Sequence, residues 1–307
     1  MTLFLGDDGR LRSGWRFLIS LAVFFAANWL AAWLILFSAA FSANNERLFD
    51  AFFRPTLALL LLLSYSAMLV VLDRVKGHPV RALGLGASNA LHDSFLGIAV
   101  GFVMSLMAVL LQAIIQRGHL GYSPVLNRQT LKLATAVVWI LVTGALAEEL
   151  TFRGYPFQRL VEGLGPAGAI LVSSLLFGSV HLGNPHVSFL GAANTALIGV
   201  VLSLAYLRTQ GLWLPWGIHF SWNAALGLVF GLPVSGLTDF AVIGVGRVAG
   251  PQWLTGGSYG PEGGVLATIA IFIGLLFVLY CIRQRPLPVI EIRPLLENTD
   301  AMPPVAP

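Results

Sequence analysis

The chain has 307 residues, of which 57% are hydrophobic and only 10% are charged. A soluble domain carries about a quarter charged residues, so this composition excludes an ordinary soluble protein and predicts an integral membrane protein. The formal charge of +4 does not indicate a nucleic-acid partner, because the basic residues fall in short loops and form no patch with interleaved aromatic residues.

Apolar windows of roughly bilayer length predict about eight transmembrane helices in an all-α, polytopic bundle. They lie near residues 15–40, 55–73, 93–116, 132–153, 166–182, 186–208, 211–231 and 264–283. The period-two alternation of a β-barrel is absent from the sequence. We therefore expect one transmembrane domain over 15–285, a cytoplasmic N-terminus over 1–14 and a proline-rich, disordered tail over 286–307.

The basic residues orient the spans. An even number of spans puts both termini on one side, and the basic flanks place that side in the cytoplasm of a cell inner membrane. The connection near 117–132 conflicts with this topology, and an amphipathic or re-entrant piece there would resolve the conflict. The flanking residues are Arg10, Arg12, Arg16, Arg283 and Arg285, and the conflicting ones are Arg117, Arg128 and Lys132.

Two connections differ from short loops. The segment 74–93 is polar and contains glycine, which predicts an interfacial segment. The segment 232–264 is the longest connection and is rich in glycine, so it is either a solvent-exposed loop or a cap over the mouth of a site. The single cysteine, Cys281, excludes an intrachain disulfide and a cysteine-based metal cage.

Two adjacent carboxylates in the fourth predicted span are the strongest functional signal. Ionisable groups at membrane depth are costly and mark functional sites. Glu149 and Arg153 are four residues apart on one helix face, so they can form a neutral pair. Glu148 is turned by about 100° from its neighbour and has no such local partner. It needs a partner on another helix.

Two further spans carry polar residues at helical spacing. Phe177 and His181 are one turn apart in the fifth span, and His219 and Asn223 are one turn apart in the seventh. Such pairs among apolar neighbours predict side chains that point into a cavity within the bundle. Small residues beside them allow the helices to approach closely, namely Gly178, Ser179, Gly217 and Ser221.

These residue types suit the activation of water and the stabilisation of an oxyanion. Glu148 can act as a general base with His181 orienting the water, and His219 and Asn223 can donate hydrogen bonds to the oxygen of a tetrahedral intermediate. No Ser or Cys in the cluster has a nucleophile context. The sequence therefore favours direct attack by water over an acyl-enzyme.

Two other interpretations stay open. Zinc could bind Glu148, His181 and His219 with an open position for water. The sequence lacks an H-E-x-x-H helix, and Asn is an unusual zinc ligand, so we expect chemistry without a cofactor. The polar residues could also simply pack helices together, but their arrangement on three spans and the extra carboxylate favour a functional cluster.

The three motifs, in this order on successive apolar helices, resemble the CPBP family. This family contains the CAAX proteases and the bacteriocin-processing and immunity (Abi) proteins, and it is related to the Rce1-type prenyl-protein endopeptidase. The motifs are E-E-x-x-x-R from Glu148, F-x-x-x-H from Phe177 and H-x-x-x-N from His219. The resemblance covers about residues 137–230.

The resemblance implies an eight-helix intramembrane endopeptidase with its site in a cavity within the membrane. Glu148 would be the catalytic glutamate, His181 would orient water, and His219 with Asn223 would stabilise the oxyanion. The supporting residues would be Glu149, Arg153 and Phe177. Members have been described both as metalloproteases and as glutamate-dependent enzymes.

We accordingly expect a peptidase that hydrolyses a peptide bond of a protein or peptide in the lipid bilayer. The alternative is a scaffold without proteolytic activity, or a bacteriocin-immunity factor, that binds partners in the same cavity. A transporter that uses the carboxylates ranks below both, because no inverted repeat is visible across the two halves.

Overall fold

The computed structural model describes residues 3–6, 11–41, 83–86, 88–115 and 120–285, together with single helical residues between 56 and 66. The predicted tail (286–307), half of the 74–93 segment and most of the second predicted span lie outside the described residues. The topological expectations attached to those three segments stay predictions.

Long helices make up most of the described chain, which confirms the all-α fold class. Among the described residues, three segments are long and apolar enough to cross a membrane. They are Ala90–Ile115, Arg128–Gly183 and Phe189–Thr209. The number of eight spans stays a prediction. The helices are α1 (Ser13–Phe41), α2 (Ala90–Ile115), α3 (Arg128–Arg153), α4 (Tyr155–Val180), α5 (Phe189–Thr209), α6 (Trp213–Ala224), α7 (Gln252–Thr255) and α8 (Val265–Cys281).

Local signals define the ends of the two helices that carry the first motifs. The side chain of Asn127 accepts hydrogen bonds from the backbone of Gln129 and Thr130 and so caps the start of α3. Helix α4 contains a kink at Gly165, which has a φ of 73° and directly precedes Pro166. The predicted span 166–182 is therefore only the second half of α4, because the apolar window began at the kink.

Helices α2 and α6 pack almost backbone to backbone. A Cβ atom on Gly97 would lie 2.4 Å from the carbonyl oxygen of Leu214, and a Cβ on Gly217 would lie 2.6 Å from that of Ser94. Any side chain at these two positions would push the helices apart. The close approach predicted for Gly217 is thus confirmed, and it fixes α6 beside the cavity described below.

Large apolar side chains are exposed along two helices. On α2 and α8 many of them face outward, where a soluble protein would carry charged residues. A lipid environment explains this surface, because contact with acyl chains does not penalise apolar side chains. Examples are Phe95, Val103, Ile114, Phe272 and Tyr280.

A two-stranded ribbon joins two connections that are distant in sequence. Strand β1 (Leu120–Pro124) pairs antiparallel with β2 (Gly244–Val248). The sequence leaves the placement of the connection near 117–132 open, and its described part contains strand β1. Five residues that include Gly121 and Pro124 show no period-two pattern, and their partner is more than 100 positions away, so no local signal predicts the pairing.

An ion pair ties the end of α8 to the first turn of α2. The guanidinium of Arg285 donates to both carboxylate oxygens of Asp93 at 2.6 Å and to the carbonyl oxygen of Thr209 at 3.4 Å. Hydrogen bonding to Asp93 raises the pKa of Arg285. The contact therefore fixes three helix ends, those of α2, α5 and α8, at one point.

Replacement of Arg285 by alanine should lower the free energy of unfolding by about 1–2 kcal/mol. The change leaves the Asp93 carboxylate, which is only 3% exposed, without its main partner, but 30% exposure of the Arg285 side chain limits the loss. Thermal unfolding in detergent measures the effect. Arg283→Ala, at an exposed position two residues away, is the control. Equal shifts for both variants would contradict the assigned contact.

Candidate active site

The three motif segments converge on one cavity of about 630 Å³. Helices α1, α3, α4, α5, α6 and α8 and the 232–264 segment all contribute to its wall. The convergence predicted for the fourth, fifth and seventh spans is therefore present in the structure. The polar side chains of the wall are Thr143, Glu148, His181, Asn184, Asn194, Thr195, His219, Asn223, Ser235 and Glu262.

Behind the cavity wall, Glu149 and Arg153 form the expected ion pair. Both side chains are fully buried, and Nη1 of Arg153 donates to Oε1 of Glu149 at 3.2 Å. The guanidinium also donates from Nη2 to the carbonyl oxygen of Gly199 at 3.1 Å and lies 4.4 Å from the ring centroid of Phe177. Phe177 thus supports the arginine through a cation–π contact. A Cβ on Gly199 would approach Nη2 to 3.2 Å, so this position favours glycine.

The same carboxylate also holds His219. The Nδ1 atom of His219 lies 2.8 Å from Oε1 of Glu149. Because an ionised carboxylate only accepts hydrogen bonds, Nδ1 carries the proton and Nε2 points away from Glu149. Helical spacing predicts the pairing of Glu149 with Arg153 alone. It does not predict this second contact, since Glu149 and His219 are 70 positions apart and lie on different helices.

His181 is oriented in the same way by its own helix. Its Nδ1 atom lies 2.6 Å from the carbonyl oxygen of Phe177, one turn earlier. A carbonyl can only accept, so Nδ1 is again the protonated nitrogen. In the neutral ring the Nε2 lone pair is then free to accept a hydrogen bond from the cavity side.

Glu148 faces both imidazoles. Its Oε2 atom lies 3.8 Å from Nε2 of His219 and 4.0 Å from Nε2 of His181. This oxygen is inaccessible to solvent and has no hydrogen-bond partner among the described residues, although the side chain as a whole is 39% exposed. Both distances exceed a direct hydrogen bond. The predicted cross-helix partners of Glu148 are therefore the two histidines.

Asn223 lines the cavity one helical turn after His219. Directly beyond it, α6 changes into a π-helical turn at Ala225–Val229. Such turns are rare and occur often at functional sites, where they change the direction of the following side chains. Helical spacing predicts that His219 and Asn223 share one face, but it does not predict the π-helical turn.

One carboxylate of the cavity wall was not among the predicted site residues. Oε1 of Glu262 accepts a hydrogen bond from Nε1 of Trp222 at 2.9 Å, and Oε2 accepts from the backbone N–H of Ser235 and from its hydroxyl at 3.0 Å. The segment 232–264 therefore forms one wall of the cavity and is more than an exposed loop. The signal available in the sequence was a lone glutamate within a glycine-rich stretch.

A metal centre is the other chemistry considered for these residues. Within the ranges that the structure describes, no group of three or more His, Cys, Asp or Glu side chains is arranged to hold a metal ion. Zinc binding by Glu148, His181 and His219 therefore gains no support from the geometry and stays a hypothesis to be tested in solution.

Comparison with known protein families gives one match. The profile of the family described as type II CAAX prenyl endopeptidase Rce1-like matches residues 130–225. Comparison with curated protein sequences and with solved structures found no match. The matched segment contains all seven residues of the three motifs, and the match confirms the resemblance drawn from them. It also confirms a membrane-embedded helical bundle.

Proposed function

We propose, from the similarity of residues 130–225 to the family described as type II CAAX prenyl endopeptidase Rce1-like, a family of peptidases, that this protein cleaves a peptide bond by activating water at Glu148. The proposal is carried by one observation. The free carboxylate oxygen of Glu148 faces the Nε2 atoms of His181 and His219 inside the cavity. We place the protein in the cell inner membrane with both termini in the cytoplasm.

In the first step, Glu148 and His181 act on one water molecule. The water donates one hydrogen bond to the carboxylate of Glu148 and one to the Nε2 lone pair of His181. This orients an oxygen lone pair toward the scissile carbonyl carbon. As the oxygen attacks, Glu148 takes the proton. It then delivers that proton to the leaving amine nitrogen when the C–N bond breaks, so that Glu148 is regenerated as a carboxylate.

The negative charge on the carbonyl oxygen is stabilised by His219 and Asn223. Because the Nδ1 proton of His219 is committed to Glu149, Nε2 can donate to the oxyanion only when the ring is an imidazolium. The Glu149 carboxylate supplies a negative charge next to that ring, and Arg153 donates to the same carboxylate oxygen. The side-chain amide of Asn223 supplies a second donor. The ion pair behind the cavity wall thus serves the reaction through His219.

The variant His219→Gln should retain a donor but lose the dependence on a titrating ring. We expect kcat to fall about 10–100-fold, because the neutral amide is a weaker and displaced donor. The alkaline fall in the pH–rate profile of the wild type should disappear in the variant, since no proton has to stay on residue 219. His186→Gln, at an exposed position outside the cavity, is the control with a wild-type profile. Persistence of the alkaline limb in His219→Gln would contradict the imidazolium assignment.

Profiling of peptide termini tests the proposed function directly. Membranes from cells that carry the wild type are compared with membranes that carry Glu148→Ala at the same expression level. We expect a set of new N-termini from membrane proteins or peptides in the wild type alone. A binding scaffold or immunity factor predicts identical termini in both samples, with the biological phenotype retained by the variant.

A further inference from the structure

Glu262 forms hydrogen bonds that join three segments from separate parts of the sequence. Its two carboxylate oxygens accept hydrogen bonds from Trp222 of α6 and from Ser235 in the turn after the π-helical segment. We call Glu262, Trp222 and Ser235 the Glu262 clasp. Every hydrogen bond in the clasp is made by a side chain or backbone group at the cavity wall.

The segment that presents Glu262 is itself fixed. The amide nitrogen of Asn194, on α5, donates to the carbonyl oxygens of Glu262 at 2.8 Å and of Gly264 at 3.1 Å. The Oδ1 atom of Asn194 accepts from the hydroxyl of Thr268 on α8 at 2.7 Å. Asn194 is 2% exposed, and its side-chain amide makes three hydrogen bonds in this anchor. The backbone at Glu262 is therefore held from α5, and Thr268 of α8 holds the asparagine that does so.

The backbone around the segment also allows little displacement. Tyr259 accepts a hydrogen bond at its carbonyl oxygen from the N–H of Gly236 at 2.8 Å. Gly260 has a φ of +100°, and a Cβ there would lie 2.1 Å from the carbonyl oxygen of Pro233. The turn around Ser235 and the turn around Gly260 thus lock together. A displacement of Glu262 would require both turns to move.

Trp222 transmits this fixed position to the residues that face the substrate. It lies directly before Asn223 and three positions after His219 on α6. Residues on a helix are about 100° apart, so the direction of the Trp222 side chain determines the rotation of the whole turn. The α-helix ends two residues later in the π-helical turn Ala225–Val229, where regular backbone bonds no longer define the rotation.

We propose that Glu262 is a positioning residue, which sets the rotation of the last turn of α6 through Trp222 and thereby aims His219 and Asn223 at the reacting carbonyl. The inference rests on the proposed function. It adds a residue outside the matched family segment, which ends at residue 225. In this arrangement Glu262 does not touch the substrate's reacting atoms. We expect its loss to lower kcat more than it changes substrate binding.

Two variants interrupt the clasp from opposite sides. Glu262→Gln keeps the side-chain shape but leaves one acceptor oxygen, so either Trp222 or Ser235 loses its partner. Trp222→Phe keeps an aromatic ring and removes the indole N–H. With a fluorogenic peptide built from a processed terminus, we expect each variant to lower kcat at least about tenfold while KM changes by less than about threefold. The double variant should be no worse than the more severe single one, because both changes break one contact.

Hydrogen–deuterium exchange in nanodiscs supplies a readout that does not depend on catalysis. In both single variants we expect faster exchange in residues 219–237 and unchanged exchange in 128–153. The matched control is Glu162→Gln, whose carboxylate pairs with Arg16 and Arg159 on the α1 side. It should leave kcat and exchange in 219–237 at wild-type values.

The possible outcomes separate this inference from the proposed function. If Glu148→Ala abolishes cleavage while Glu262→Gln and Trp222→Phe leave kcat and exchange unchanged, the clasp is overturned and the proposed function stands. If Glu148→Ala cleaves normally, the proposed function fails, and exchange in 219–237 still decides whether Glu262 holds α6. A rise in KM without a fall in kcat would assign Glu262 to substrate binding and overturn its positioning role.

Discussion

Glu148→Gln is expected to lower kcat by about 10²–10⁴-fold without a loss of folded protein. The amide has nearly the same shape as the carboxylate, but it cannot take a proton from water at the point between the two imidazoles. Folding should persist because Oε2 of Glu148 accepts no hydrogen bond from the described part of the protein. The measurements are steady-state cleavage of a fluorogenic peptide in nanodiscs and thermal unfolding of the same preparation.

The same assay contains the controls for this prediction. Glu162→Gln is the matched change at a half-exposed glutamate of α4 that lies outside the cavity wall, and we expect its kcat to stay near wild type. Treatment of the wild type with a chelator, with zinc quantified in the protein, should leave kcat unchanged if the chemistry needs no cofactor. A Glu148→Gln enzyme within about threefold of wild type would end the general-base assignment. Loss of activity on chelation with recovery on addition of zinc would replace it with a metal mechanism.

The contacts within one helix could be predicted from the sequence because helical spacing determines them. Glu149 and Arg153 share a face at four residues' separation, and the ion pair forms as expected. The same spacing placed Glu148 on a different face, and the structure turns it toward the histidines of two other helices. Local periodicity was sufficient to separate the two carboxylates.

The contacts between helices could not be predicted in the same way. The shared oxygen of Glu149 joins Arg153 and His219, and whether α6 brings its histidine to that oxygen depends on how α6 packs. That packing depends in turn on a backbone contact between Gly217 of α6 and Gly97 of α2. Helix α2 carries no motif. The sequence showed that Gly217 permits a close approach, but it did not show which helix makes it.

Irregular backbone was the other part that the sequence left open. The apolar windows located helices by hydropathy, which is insensitive to the positive φ at Gly165 and to the π-helical turn after Ala224. In the 232–264 segment, glycine content was compatible with an exposed loop or with a cap over the mouth of a site. The glycines instead allow turns packed so tightly that a fixed carboxylate, Glu262, reaches the cavity wall.

Arg153→Met is expected to destabilise the protein by about 3–5 kcal/mol, the largest effect on folding that the site predicts. The change removes the arginine from a fully buried pair and leaves the Glu149 carboxylate with only the His219 ring as a partner, while Gly199 loses a donor to its carbonyl oxygen. The midpoint of thermal or denaturant unfolding in detergent measures the loss. Lys132→Met, at an exposed position on the same helix, is the control and should change stability by less than about 0.5 kcal/mol.

The double variant Glu149→Met with Arg153→Met separates the two roles of the pair. Replacement of both partners by apolar side chains of similar size removes the uncompensated charge, so most of the lost stability should return. Activity should not return, because His219 then lacks the carboxylate that accepts from Nδ1, and neither the orientation of the ring nor the charge of the proposed imidazolium is supported. A folded double variant with wild-type kcat would show that the pair only supports the fold. A folded double variant without activity would assign to Glu149 the orientation of the histidine that faces the oxyanion.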